Sequence, residues 1–133
     1  TMVSYREQEG FFPFTLHSSG ITKSEICVNI EKSSQFLSAL LISANTTGQE
    51  IDIRVKGTHG MSYIDMTTRI MEEFGVVVRR PSPDLFRIEK GQVYRARVYQ
   101  IEPDLSAACY FYAMAALLGI EVMVKHVHFS SRQ

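Results

Sequence analysis

The sequence predicts an α/β fold, an α+β sandwich in which helices pack on a mixed sheet. Two observations carry this. Apolar residues recur at three- and four-residue spacing in some stretches and at two-residue spacing in others. The order helix, glycine, β-branched run also returns three times along the chain. Such alternation calls for a sheet with helices on a face, joined by right-handed crossovers where the strands are parallel.

The elements follow in order. After a polar lead-in, residues 14–17 and 26–30 read as short strands, separated by the turn-prone Ser18-Ser19-Gly20. Residues 33–44 then change period: Phe36, Leu37, Leu40 and Leu41 share a helical stripe, and Gly48 is a stop signal. Residues 49–55 alternate Ile51, Ile53 and Val55 with Asp52 and Arg54, the pattern of a strand with one buried face.

The same order then repeats. Residues 63–74 form a helix with Met66, Ile70 and Phe74 on one stripe, Gly75 caps it, and 76–78 is a strand. Pro81 and Pro83 frame a turn, with strands expected at 85–88 and 97–101 around a turn at Gly91. Asp104 is a good N-cap for an Ala-rich helix to Leu118, Gly119 ends it, and 120–127 is a further β-branched run. The natural unit is βαβαββ: residues 12–101 make one unit and 102–128 begin the next, within a single compact domain over 1–133.

Composition excludes several function classes. The 14 basic residues balance the 14 acidic ones, without the cationic excess of a nucleic-acid binder. No apolar run approaches the roughly 20 residues that span a bilayer, so no membrane partner is expected and a cytoplasmic setting fits. Cys27 and Cys109 stand singly in apolar surroundings and read as buried free thiols.

The most informative stretch is Ser33-Ser34-Gln35-Phe36-Leu37-Ser38-Ala39-Leu40-Leu41, which sets small polar groups at the front of an apolar helix. Unpaired N–H groups in a first helical turn and the helix dipole attract an anion, and the two hydroxyls add donors. Ser33 also suits plain N-capping, which requires no ligand.

This stretch resembles the signature helix of EPSP synthases, in which a Ser-Ser-Gln triplet grips shikimate-3-phosphate. Two further segments fall in the family's order: Tyr63-Ile64-Asp65-Met66-Thr67 followed by Phe74-Gly75-Val76, and Asp104-Leu105-Ser106-Ala107-Ala108-Cys109-Tyr110-Phe111. The resemblance runs from about Gly10 to Val127. It implies a segment of a longer two-domain enolpyruvyl transferase, each domain built from three βαβαββ units, with the interdomain crossover near 100–104. The implied substrates are shikimate-3-phosphate and phosphoenolpyruvate, with no cofactor.

Carried over by residue, Ser33 and Ser34 would hold the 3-phosphate, Gln35 would face the shikimate ring and the phosphoenolpyruvate side, and Tyr63 would lie beside the shikimate moiety. An aromatic at a helix start is also a common packing anchor. The family serine that usually precedes this tyrosine lacks a clear counterpart, because Thr58-His59-Gly60-Met61-Ser62 is one residue short; Ser62 or Gly60 replaces it, or the contact is missing. Asp104 and Ser106 match family positions that serve capping and hinge geometry. No residue matches the family's proton-transfer groups or its phosphoenolpyruvate clamps, so the chain supplies part of a substrate site, no catalytic group and no metal ligand, and alone should be inactive.

Other readings remain in view. One is a stand-alone phosphate-binding or assembly module, self-associating through sheet edges. Another is a relative acting on a UDP-sugar or an RNA 3'-phosphate, against which the Ser-Ser-Gln triplet argues. His126 and His128 fall on one face of a terminal strand but lack a third ligand. Arg79-Arg80 reads as a solvated corner, and Met61, Met66, Met71, Met114 and Met123 read as core filling.

Overall fold

A computed structural model describes residues 2–128 and 131. Its main body is a four-stranded mixed sheet covered on one face by two helices. In chain order these are β3 (Glu25–Asn29), α1 (Gln35–Ala44), β4 (Ile51–Lys56), α2 (Met61–Glu73), β5 (Val78–Ser82) and β6 (Leu85–Ile88). The strands lie in the order β3-β4-β6-β5. β3 and β4 are parallel, as the intervening helix requires, while β4–β6 and β5–β6 are antiparallel.

Alternation along the strands decides which face is covered. Ile51, Ile53 and Val55 of β4, with Phe86 and Ile88 of β6, point into the core, and Ile26 and Val28 of β3 pack beside them. Leu37, Leu41 and Ala44 of α1, with Ile64 and Met71 of α2, close the layer from above. The outer face carries ion pairs instead: Asp52 and Arg87 are cross-strand partners, and Arg54 reaches both Glu25 and Asp84. Tyr94 crosses the helix layer and donates its hydroxyl to the Ile42 carbonyl at 2.9 Å; its burial raises the phenol pKa.

Ahead of this body, β1 (Met2–Tyr5) pairs with β2 (Phe14–His17) in an antiparallel hairpin. The predicted strand at 14–17 is present, but its partner lies in what the sequence pattern makes a polar lead-in. Its aromatic residues pack locally, with Phe12 stacked on Phe14 and Tyr5 edge-on to it.

After the body comes α3 (Leu105–Leu118). Asp104 caps it as predicted, its carboxylate accepting the Ala107 N–H at 3.1 Å, and Gly119 ends it in the left-handed conformation. Its one buried residue is Ala108.

Several expectations are corrected. The strand expected at 76–78 begins at Val78 and runs on through Pro81, which an edge strand tolerates because one row of its backbone groups needs no partner. Residues 97–101 are not a strand. The chain here crosses the end of α2, where Arg95 donates its backbone N–H to the Phe74 carbonyl and Arg97 binds the Glu73 carbonyl. Residues 120–127 form no strand either, for want of a pairing neighbour among the described residues, so His126 and His128 share no strand face.

Cys27 and Cys109 are both exposed, not buried. Cys27 lies on the outer face of β3, and Cys109 on a helix whose one buried residue is Ala108. Met71 is core and Met61 packs against it, but Met114 and Met123 are exposed, on α3 and in the segment after it. Arg80 is less free than a solvated corner suggests. It stacks on the Phe86 ring, pairs with Asp65 of α2 and binds the Pro83 carbonyl.

Candidate functional site

The first turn of α1 and the start of α2 meet at one end of the helix layer, leaving a cleft of about 560 Å³ between them. Ser33, Ser34, Gln35 and Tyr63, the four residues singled out by sequence, all line it.

Each arrives there for a local reason. The helix begins two residues later than its pattern suggests, at Gln35, with Ser34 as N-cap residue. The capping hydrogen bond comes from the residue before: Ser33 Oγ accepts the Gln35 N–H at 3.3 Å. Ser34 makes no side-chain capping bond, although it is only 7% exposed. Buried polar groups normally have partners, so a hydroxyl on a cleft wall without a capping role is free to serve a ligand. Gln35 is exposed, and Tyr63, at 59% exposure, is no packing anchor for the core.

The loop between β4 and α2 presses against the β3–α1 connection. Gly57 and Gly60 both adopt positive φ. A β-carbon on Gly57 would stand 2.9 Å from Glu31 Cγ, and one on Gly60 would overlap the Ser34 hydroxyl. Both positions therefore require glycine on two counts. Of the two residues offered for the absent family serine, Ser62 is exposed within α2 and Gly60 has no side chain; neither is among the cleft-lining residues.

The pattern of the sequence missed four polar members of the wall: Lys32, Ser38, His59 and Thr67. Ser38 could have been found, since it lies one helical turn beyond Ser34; its hydroxyl meets Thr67 Oγ1 at 3.0 Å and ties α1 to α2. Thr67 in turn donates to the Tyr63 carbonyl. Met66 and Ile70 supply the apolar part of the lining.

The whole of residues 1–133 matches the family model for EPSP synthase, 3-phosphoshikimate 1-carboxyvinyltransferase. The chain belongs to the EPSP synthase family. It is similar to the 3-phosphoshikimate 1-carboxyvinyltransferase of Nostoc punctiforme, 42% identical over 126 residues that cover 94% of this chain and 30% of that protein. Those of Erwinia tasmaniensis and Sulfurovum sp. are 41% and 37% identical, each match covering 98% of this chain and 31% of the relative. The chain thus spans about 30% of the length of the curated relatives it matches. Among the described residues no helix is long and apolar enough to cross a membrane, and no three His, Cys, Asp or Glu side chains group as a metal site.

Proposed function

We propose that this chain forms part of an enzyme that transfers the enolpyruvyl group of phosphoenolpyruvate to shikimate-3-phosphate, and that its cleft supplies part of the shikimate-3-phosphate site. The observation that carries the reading is Ser34: a residue only 7% exposed whose hydroxyl has no capping role, at a helix start, on the wall of a cleft. Membership of the family supports this substrate class, and this is the feature of the chain suited to its phosphate.

In this reading the Ser33 and Ser34 hydroxyls and the free N–H groups of the first turn of α1 hold the 3-phosphate, aided by the helix dipole. Gln35 faces the ring and the phosphoenolpyruvate side, and Tyr63 lies against the ring. The reaction protonates phosphoenolpyruvate, adds the substrate 5-hydroxyl to its central carbon and expels phosphate. It needs acid–base groups and cationic clamps, and these come from parts of the enzyme outside residues 1–133. Residues 12–101 then act as one structural unit and 102–128 as the start of the next. An assembly module without turnover has no such support, since the relatives named above are transferases.

An NMR titration of the labelled chain with shikimate-3-phosphate, inorganic phosphate and a UDP-sugar tests this directly. Shifts at the Ser33, Ser34, Gln35 and Tyr63 amides that favour shikimate-3-phosphate are expected. A preference for the UDP-sugar, or shifts confined to other residues, would overturn the assignment.

A further inference from the structure

The cleft differs from its surroundings in charge. Among the described residues no carboxylate lines it, and its lining includes two basic residues, Lys32 and His59. A neighbouring cavity beside α2 mixes Arg69 with Glu73 and Glu102. In a chain whose formal charges cancel, a carboxylate-free wall bearing two basic groups is a local bias toward an anion.

Neither group is committed elsewhere: Lys32 and His59 form no ion pair among the described residues. The carboxylate nearest in sequence, Glu31, is tied back to Asn29, which it meets through both its backbone N–H and its side chain. The backbone explains why His59 is there. Gly57 and Gly60 clamp the β4–α2 loop against Glu31 and Ser34, and the short turn between them places His59 on the cleft wall.

We infer that Lys32 and His59 are phosphate-gripping residues of this cleft, closing over the phosphate that Ser33 and Ser34 hold from the helix side. This rests on the function proposed above and adds the residues that give the site its preference for a phosphate monoester over the bare hydroxylated ring. Lys32 contributes a mobile point charge, and the His59 imidazole an N–H donor in either protonation state. His59 would then do the work for which Ser62 and Gly60 are unsuited.

The test is calorimetric titration of the full chain with shikimate-3-phosphate and with shikimate, comparing wild type, His59→Gln, Lys32→Met and Lys32→Arg. His59→Gln and Lys32→Met should each weaken shikimate-3-phosphate binding about tenfold or more, as loss of a hydrogen bond to a charged group does, while leaving shikimate unchanged. Lys32→Arg should restore most of the loss. Undiminished shikimate-3-phosphate binding in both variants, or equal losses for the two ligands, would overturn the inference while leaving the substrate site intact. A wild type that fails to prefer shikimate-3-phosphate over shikimate would instead overturn the site reading itself.

Discussion

Gly60 sits directly against the Ser34 hydroxyl, so that the left-handed residue opening α2 and the buried residue opening α1 define one another's position. Alanine at 60 meets two penalties, a positive φ of 68° and a β-carbon where Ser34 Oγ lies. Gly60→Ala should therefore lower stability by about 1–3 kcal/mol and weaken shikimate-3-phosphate binding as Ser34 is displaced. Denaturant midpoints and ligand titration measure the two effects; a variant as stable as wild type would show that the loop has room to relax.

A hydrogen bond between Ser38 and Thr67 ties the two helices together on the cleft wall. Ser38→Ala should cost about 1 kcal/mol. Combined with Thr67→Val, the losses should be less than additive, because both changes remove one shared bond. Full additivity in the double-mutant cycle would mean that the bond contributes nothing in solution.

The sequence makes the helix layer readable because its signals are local. The helical spacing of Leu37 and Leu41, whose stripe-mate Phe36 is left exposed, the alternation at Ile51, Ile53 and Val55, and the Asp104 cap each depend on neighbours within a few residues. The strand errors have a different origin. Residues 97–101 and 120–127 have the composition of strands, but a strand exists only where a partner offers its edge, and that partner is not written in the segment itself. The site divides in the same way. Ser33, Ser34 and Gln35 announce themselves at a helix start, whereas Lys32 and His59 reach one wall only because two glycines let separate loops touch.

On the outer face, Arg87 grips Asp52 with two hydrogen bonds, of 2.7 and 2.6 Å. Those bonds hold the Asp52 carboxyl below its ordinary pKa. A depressed folded-state pKa gives stability that is fully present above the unfolded value of about 4 and is lost as pH falls through the lower folded value. Asp52→Asn should thus unfold at lower urea than wild type at pH 7, with the gap closing below about pH 4. A gap that persists unchanged in acid would assign the effect to something other than ionisation.

Cys27 alternates outward on β3 and lies exposed on the ion-paired face of the sheet. It should be alkylated by iodoacetamide in the native protein without denaturant, as peptide mass mapping would record. Protection until unfolding would restore the buried thiol that its apolar flanks suggest. Since Cys27 is absent from the cleft lining, its modification should leave shikimate-3-phosphate binding intact.

Ser33 and Ser34 separate two roles that the helix start could have merged. Ser33 Oγ accepts the Gln35 N–H, whereas Ser34 makes no capping bond. Ser33→Ala should lose about 1 kcal/mol of stability with the cap, together with affinity for the phosphate. Ser34→Ala removes no capping bond and should lose less stability than Ser33→Ala, yet bind shikimate-3-phosphate about tenfold more weakly. Stability curves and titrations of the two variants distinguish the cases. If Ser34→Ala unfolds early and binds normally, its hydroxyl is structural and the phosphate must sit elsewhere on the chain. Loss of binding without loss of stability would instead place Ser34 on the ligand, because no cap has been removed to account for it.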